Sequence, residues 1–247
     1  MLARATPHIP PWIPVVSLAK GLEHPTLLRM TQIIKELLPA HPAAALTGPN
    51  LAKEILAGKA AATVIATEDP AVAQALQEVL HRGQLRVYLN HDLIGCEIGG
   101  ALKNVVAIGA GMAEGLGVGD NTRAAVITRG LAELAQLGVA MGGRMETFAG
   151  LSGLGDLLAT CMSPHSRNRH VGEQLGRGRK LEEILGDMSM VAEGVGTARS
   201  AVELGDRHGL KMPIARTILG VIDGDVSAAE AYTRLRHVPA GHENDPW

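Results

Sequence analysis

The sequence predicts an α/β fold for the first part of the chain and an all-α fold for the rest. Up to about residue 90, short apolar runs alternate with segments whose apolar residues recur at helical spacing. Alternating strands and helices are typical of βαβ units, which form parallel sheets. From about residue 92, helical periodicity dominates. We therefore expect an incomplete parallel sheet with its helices in residues 1–95 and a helical domain in residues 96–247; with 46% hydrophobic residues, the chain can bury a core.

The individual elements follow from periodicity and punctuation. The run at 62–66 is β-branched at its centre, which favours a strand. Asp69-Pro70 predicts a helix start, because aspartate caps the first N–H groups and proline fits the first turn. The expected strands are 15–19, 43–47, 62–66 and 85–89, and the expected helices are 26–38, 51–57, 70–81, 97–113, 122–140, 151–162, 169–175, 180–187, 193–209, 213–221 and 226–236.

Composition excludes several function classes. A formal net charge of −2 argues against a general polyanion binder, and 2% aromatic residues offer little for base stacking, so nucleic acid is not an expected partner. Two cysteines cannot form a disulfide framework, which favours a reducing, cytoplasmic setting. No apolar run approaches about 18 residues, so no membrane span is expected. The histidines lack ligand spacing, and no metal site is expected.

The stretch GGALKNVVAIGAG at 99–111 places one lysine, Lys103, among small and apolar residues. Small residues allow close approach of another backbone or a ligand. Burial disfavours the charged form of a lysine, which suits a group that transfers protons near neutral pH. The alternative is a lysine whose ammonium reaches out of the helix to solvent.

The glycines Gly109, Gly111 and Gly115 invite a dinucleotide interpretation that the spacing does not support. The dinucleotide fingerprint is Gly-x-Gly-x-x-Gly after a strand, whereas here the spacing is one residue longer and the preceding segment is helical. No Gly-x-Gly-x-x-Gly occurs anywhere in the sequence.

Asp156 and Thr160 are four residues apart, on one face of a predicted helix. An aspartate among glycines and leucines needs a partner, and a cation is the natural one. The alternative is an aspartate that stabilises a helix N-terminus.

Three further motifs suit a phosphate or another polar ligand. Ser166-Arg167-Asn168 combines a hydroxyl, a guanidinium and an amide at a helix start, which is typical of a phosphate site but also of an ordinary N-cap. Lys20-Gly21 and Gly48-Pro49-Asn50 follow short strands, where ligands bind in open α/β folds, although each is also a plain turn.

Taken in order, AKGLE (19–23), TGPNLA (47–52), GGALKNVVAIGAGMAEGLGVGDNTRAAVITRGLAE (99–133), GLSGLGDLLATC (150–161), SRNR (166–169) and VAEGVGTA (191–198) carry a resemblance. Over residues 15 to 236, the chain resembles the bacterial NAD(P)-dependent glycerol-3-phosphate dehydrogenase family. The resemblance implies a Rossmann-like domain followed by an all-α substrate domain, and an oxidoreductase that interconverts sn-glycerol 3-phosphate and dihydroxyacetone phosphate.

The resemblance also implies roles for individual residues. Lys103 is similar to the lysine that exchanges a proton with the oxygen on C2, with Lys20 and Asp156 as further catalytic residues. Asn50 departs from the serine or threonine expected at its position, although an amide also hydrogen-bonds. The implied substrate-binding residues are Lys20, Gly48, Asn50, Asn104, Asp156, Thr160, Ser166, Arg167 and Asn168, and the implied cofactor-binding residues are Lys20, Ala52, Arg167, Val191 and Glu193.

The expected partners follow from the same resemblance. The cofactor is NAD or NADP, with NADPH favoured, and the substrate is a small phosphate. The enzyme is expected in the cytoplasm, where it supplies glycerol 3-phosphate for phospholipid synthesis, and the sequence leaves a homodimer open.

The chain departs from the family pattern at its start. The family begins with a Gly-x-Gly-x-x-Gly βαβ unit, and this sequence has none. We therefore expect an N-terminally shortened member that binds the cofactor weakly or not at all. Two alternatives stay open, namely an inactive remnant that serves as a folding or dimerisation module, and a related hydroxyacid dehydrogenase with a carboxylate substrate.

Overall fold

The computed structural model describes residues 2–237 and His242. Four strands occur within these residues: β1 (Val15–Ser17), β2 (Ala43–Thr47), β3 (Ala61–Ala66) and β4 (Leu85–Asn90). The α-helices are α1 (Leu2–Ala5), α2 (Met30–Leu37), α3 (Ala52–Leu56), α4 (Pro70–Leu80), α5 (Leu93–Leu116), α6 (Asp120–Ala140), α7 (Met145–Ala149), α8 (Asp156–Met162), α9 (Arg167–Gly176), α10 (Leu181–Gly186), α11 (Glu193–Arg207), α12 (Pro213–Ile222) and α13 (Ala228–Arg236).

The four strands form one sheet in the order β1-β2-β3-β4. β1 pairs with β2 in parallel and β3 pairs with β4 in parallel, but β2 and β3 are antiparallel. The predicted fold class is confirmed, with one correction: the sheet is mixed rather than wholly parallel. The connection over residues 48–60 contains a helix of five residues, and it turns the chain back beside β2 instead of crossing over the sheet.

Local chemistry sets the helix starts. Asp69 caps α4 as expected, since its carboxylate accepts hydrogen bonds from the N–H groups of Ala71 and Val72 at 2.8 and 3.3 Å. The helix expected from residue 26 begins at Met30. Leu27 has a left-handed backbone with a φ of 63°, so a right-handed helix cannot include it.

Helix α5 is longer than the predicted 97–113 because Asp92 caps its start. One oxygen of the Asp92 carboxylate accepts from the N–H of Gly95 at 2.9 Å, and the other accepts from the N–H of Arg144 at 2.8 Å. By length and composition α5 is long and apolar enough to cross a bilayer, but its apolar stretch is almost entirely buried inside the protein. That burial is what the core helix of a globular protein shows.

By contacts, the chain divides into two compact units. The first unit runs to Ala101 and includes Gly138–Asp156, and the second contains Leu102–Leu137 and the residues from Leu157 onward. The predicted domain boundary at 95/96 stays a prediction. The two units are divided differently, because residues 138–156 pack with the sheet unit. This segment contains α7 and a π-helical turn at Leu151–Gly155. Each unit has its own apolar core: Ala45, Val64, Ala66, Leu93 and Cys96 in the first, and Val106, Ala107, Ala110, Leu157 and Cys161 in the second.

Glycines on α5 and α9 bring these two helices of the second unit into backbone contact. A Cβ atom added to Gly111 would lie 2.1 Å from the carbonyl oxygen of Arg169, and one added to Gly172 would lie 1.9 Å from that of Ile108. Gly115 and Gly176 continue the contact one turn further along each helix. The small-xxx-small spacing that resembled a nucleotide loop therefore serves helix packing.

Candidate active site

In the first unit, polar groups converge on Lys20, which lies just beyond β1. Its Nζ donates to the carbonyl oxygen of Gly48 at 2.9 Å and to Oδ1 of Asn50 at 2.7 Å. It also forms an ion pair with Asp156 at 2.9 Å, where the carboxylate is 3% exposed. The cation that Asp156 requires is therefore supplied by Lys20 within this unit. Because β1 and β2 are parallel, Lys20 and the 48–50 loop follow strand ends at one edge of the sheet.

Gly48 fits its position through its backbone. Its φ is +96°, in the region that favours glycine, and a Cβ atom would lie 3.4 Å from Cα of Thr63. The loop can thus turn tightly after β2 and present its carbonyl oxygen to Lys20.

In the second unit, Lys103 lies within α5 and is 5% exposed. The alternative of an ammonium that reaches solvent is therefore wrong. Nζ of Lys103 donates to Oγ1 of Thr160, on α8, at 2.6 Å. Thr160 is in the same helix as Asp156, as the spacing predicted. The apolar core of this unit, including Leu157 and Cys161, lies along the same helices.

The residue after Lys103 connects α5 to two other helices. Oδ1 of Asn104 accepts from Nδ2 of Asn168, on α9, at 2.9 Å. Oδ1 of Asn168 in turn accepts from the N–H of Gly194, at the start of α11, also at 2.9 Å. Nδ2 of Asn104 donates to Oε2 of Glu193 at 3.3 Å. The amide pair fixes the N-termini of α9 and α11 beside the lysine-bearing turn of α5.

The N-terminus of α9 has the features of an anion site. The Ser166 side chain caps the helix by accepting from the N–H of Arg169 at 3.2 Å, and the N–H groups of the first turn have no partner within the helix. Within residues 2–237 and 242, the half-buried guanidinium of Arg167 forms no hydrogen bond or ion pair. By contrast, Arg169 pairs with Glu114 and Glu173. Arg167 therefore has its donors available for a ligand.

The remaining expected cofactor residues lie at helix starts. Ala52 is the exposed first residue of α3, Val191 is 74% exposed, and Glu193 is the first residue of α11. Neither cysteine is suited to nucleophilic chemistry, because burial raises the pKa of both Cys96 and Cys161 to about 12. Among the described residues, no group of three or more His, Cys, Asp or Glu could hold a metal ion.

Comparisons with known proteins identify the family. Residues 1–73 match the model of the NAD-dependent glycerol-3-phosphate dehydrogenase N-terminus, and residues 92–233 match that of the C-terminus. The chain belongs to this family. The family predicted from the sequence is thus confirmed, as are an enzyme of the oxidoreductase class and NAD or NADP as its cofactor.

Relatives and solved structures agree with this assignment. The chain is 56% identical to a glycerol-3-phosphate dehydrogenase of Sphingopyxis alaskensis that uses NAD(P), over 100% of this chain and 74% of that protein. It is 51% identical to one from Mycobacterium tuberculosis, over 98% and 71%. The crystal structure of glycerol-3-phosphate dehydrogenase from Coxiella burnetii superposes with a TM-score of 0.91 at 34% identity, over 96% of this chain and 73% of that one.

Proposed function

We propose that this chain interconverts sn-glycerol 3-phosphate and dihydroxyacetone phosphate with NAD or NADP. The observation that carries the proposal is the hydrogen bond between Asn168 and Asn104. It joins a helix N-terminus suited to a phosphate to the residue that follows a buried lysine. A substrate that carries both a phosphate and a carbonyl requires these two features close together.

The substrate phosphate binds at the start of α9. The backbone N–H groups of the first turn and the Ser166 hydroxyl offer hydrogen bonds, and the helix dipole favours an anion. Arg167 adds a planar guanidinium with two parallel donors, which matches the geometry of a phosphate. Asn168 holds this site in place through Asn104.

Lys103 handles the proton at the C2 oxygen. When the ketone is reduced, the developing alkoxide takes a proton from the ammonium, and in the reverse reaction the neutral amine accepts it. Lys103 is buried, so its amine is shielded from solvent at the point where the proton moves. The Thr160 hydroxyl, 2.6 Å away, orients the amine. In the first unit, Lys20 serves the substrate and the cofactor with its ammonium, held by Gly48, Asn50 and Asp156.

The expected cofactor-binding residues suit a phosphate and a ring of a dinucleotide. The guanidinium of Arg167, without a partner among the described residues, suits a cofactor phosphate, and the exposed Val191 offers an apolar surface to a ring. The sequence supplies no Gly-x-Gly-x-x-Gly cradle for the pyrophosphate. The residues that would hold the cofactor are Lys20, Ala52, Arg167, Val191 and Glu193. When bound, the nicotinamide ring donates or accepts the hydride at C2.

The test is oxidation of NADPH and NADH by the purified 247-residue chain, dependent on dihydroxyacetone phosphate. Lys103→Met keeps the apolar length of the side chain and is expected to lower kcat by about 10²- to 10⁴-fold, the contribution of a positioned general acid. Lys180→Met is the matched control, because Lys180 is exposed and its side chain makes no cap bond. Circular dichroism confirms that each variant is folded.

Three outcomes contradict the proposal. If Lys103→Met keeps the wild-type kcat, this lysine does not transfer the proton. If the chain turns over a hydroxyacid with a carboxylate faster than glycerol 3-phosphate, its substrate is the hydroxyacid. If the folded chain gains thermal stability from glycerol 3-phosphate but oxidises no NADPH or NADH, it retains the phosphate site. That result would refute catalysis by this chain.

The setting of the enzyme is part of the same proposal. The absence of a disulfide framework supports a cytoplasmic enzyme that supplies glycerol 3-phosphate for phospholipid synthesis. We propose a homodimer as its assembly, because twofold dimers are the commonest symmetric oligomers. Light scattering on a size-exclusion column distinguishes a mass of twice 25.8 kDa from that of a monomer.

A further inference from the structure

Asn50 holds Lys20 in the first unit only if its amide group faces one way. Oδ1 must point toward the ammonium, because the opposite orientation would place the amide N–H donors against the N–H donors of Lys20. An amide can turn over, so a partner on its other side has to fix it. That partner accepts from Nδ2.

The partner is Thr63, on β3, which is fully buried. Nδ2 of Asn50 donates to Oγ1 of Thr63 at 3.0 Å, and the Thr63 hydroxyl donates its own proton to the carbonyl oxygen of Thr47 at 2.7 Å. Because its proton is committed to Thr47, the Thr63 oxygen can only accept from Asn50. The donors therefore run in one direction, from Lys20 to Asn50, from Asn50 to Thr63 and from Thr63 to the backbone.

We propose that Thr63 is a positioning residue for the reaction: it fixes the amide of Asn50, and through Asn50 it orients the ammonium of Lys20. This proposal rests on the proposed function, which gives Lys20 its contact with substrate and cofactor. It also accounts for the asparagine at position 50, because its amide accepts from Lys20 through Oδ1 and donates to Thr63 through Nδ2.

The test compares two buried threonines of the same strand region. Thr63→Val replaces the hydroxyl with a methyl group of similar shape, and Thr67→Val does the same at a site where the hydroxyl donates to the carbonyl oxygen of Ala43 at 3.0 Å. Both variants lose one buried hydrogen bond to the backbone, but only Thr63 bonds Asn50. We expect Thr63→Val to raise KM for dihydroxyacetone phosphate about 5- to 10-fold with kcat within about twofold, on the scale of one weakened hydrogen bond.

Two further variants test the proposal. Thr63→Ser keeps the hydroxyl and is expected to restore KM to within about twofold of the wild type. In an Asn50→Ala background, Thr63→Val is expected to change KM no further, because both substitutions break the same chain of bonds. If Thr63→Val behaves like Thr67→Val, or if Thr63→Ser is as impaired as Thr63→Val, the proposal is wrong.

A readout without turnover separates this proposal from the proposed function. In protein with ¹⁵N-labelled lysine, the ammonium signal of Lys20 is assigned by its loss in Lys20→Met. Thr63→Val is expected to accelerate exchange of these ammonium protons with water, and Thr67→Val is expected to leave it unchanged. An inactive wild type with this exchange pattern refutes the function and supports the positioning role, whereas unchanged exchange in Thr63→Val refutes the positioning role.

Discussion

The two compact units hold their lysines by different means. Lys20 lies in a loop of the sheet unit, and its ammonium is oriented by a carbonyl and an amide of the 48–50 loop and by the carboxylate of Asp156. Lys103 lies inside a buried helix of the helical unit, where glycines let backbones approach and a hydroxyl meets the amine. The difference implies that the sheet unit is sensitive to the loss of one hydrogen-bond partner. In the helical unit, the α5–α9 contact is sensitive to the addition of a single carbon atom at its glycines.

The largest expected effect tests the glycine packing of the helical unit. Gly172→Ala places a Cβ atom 1.9 Å from the carbonyl oxygen of Ile108, where backbone lies on both sides and neither can yield cheaply. We expect a loss of about 3 kcal/mol or more in the free energy of unfolding. Gly196→Ala, on α11, is the control, because a Cβ atom there meets nothing within 4 Å. It is expected to stabilise the chain by about 0.5–1 kcal/mol in chemical denaturation, since alanine favours helix. Equal effects at the two positions would contradict close packing of α5 on α9.

The second prediction compares partly buried glutamates that accept hydrogen bonds from helix N-termini in the two units. Glu133, in the helical unit, accepts from the N–H groups of Ile214 and Ala215, and burial raises its pKa from 4.5 to about 7 against the opposing influence of these bonds and of Arg216. Between these values the unfolded chain loses the proton while the folded chain keeps it. Stability is therefore expected to fall by about 3 kcal/mol as pH rises from about 4.5 to 7, at 1.36 kcal/mol per pKa unit.

The denaturation midpoint measured from pH 5 to 8 checks this slope. Glu133→Gln is expected to flatten it. Glu97, in the sheet unit, accepts from the N–H of Thr31 at 2.8 Å and pairs with Arg29. Glu97→Gln is expected to lower stability throughout the range, because it leaves a buried guanidinium without its carboxylate. A slope that persists in Glu133→Gln would assign the pH dependence to other groups.

The smallest effect concerns the two arginines at the start of α9. Arg167→Met removes a guanidinium whose donors are available, and it is expected to raise KM for dihydroxyacetone phosphate about 10- to 100-fold, the value of a charged hydrogen bond. Arg169→Met breaks ion pairs to Glu114 and Glu173 at 3.6 and 3.7 Å, so it is expected to lower stability modestly and leave KM within about threefold. Steady-state kinetics with both variants check this, and a reversed order would move the phosphate site away from Arg167.

Much of the fold was predictable because its signals are local. β2 occupies 43–47 as expected, and Asp69 starts α4 where the sequence placed it. α7 carries no periodic signal of sufficient length, so the sequence offered nothing to detect it. The helix expected over 151–162 is present, but it begins with a π-helical turn at Leu151–Gly155 before α8. The predicted start of α2 was wrong because Leu27 has a left-handed backbone, which is unusual for a branched aliphatic residue and has no signal in the sequence.

Some residues of the candidate site were also predicted from the sequence, and one was missed. The small and apolar neighbours of Lys103 predicted a lysine of unusual environment, and its burial agrees. The resemblance to the family supplied Lys20, Asn50 and Arg167 as site residues, and their roles stay predictions. Thr63 was missed, because a threonine in a β-branched run has no sequence signal beyond that of a strand.

The sequence by itself determined the succession of strands and helices, the cap at Ser166 and the apolar surroundings of Lys103, since each depends on neighbours along the chain. The tertiary structure decided the direction of β3. The side chains of a strand alternate with period two in either direction, so periodicity cannot distinguish a parallel from an antiparallel neighbour. Because β3 runs antiparallel to β2, Thr63, near the start of β3, lies at the edge where β2 ends, within reach of Asn50. A parallel β3 would have carried Thr63 to the opposite edge of the sheet.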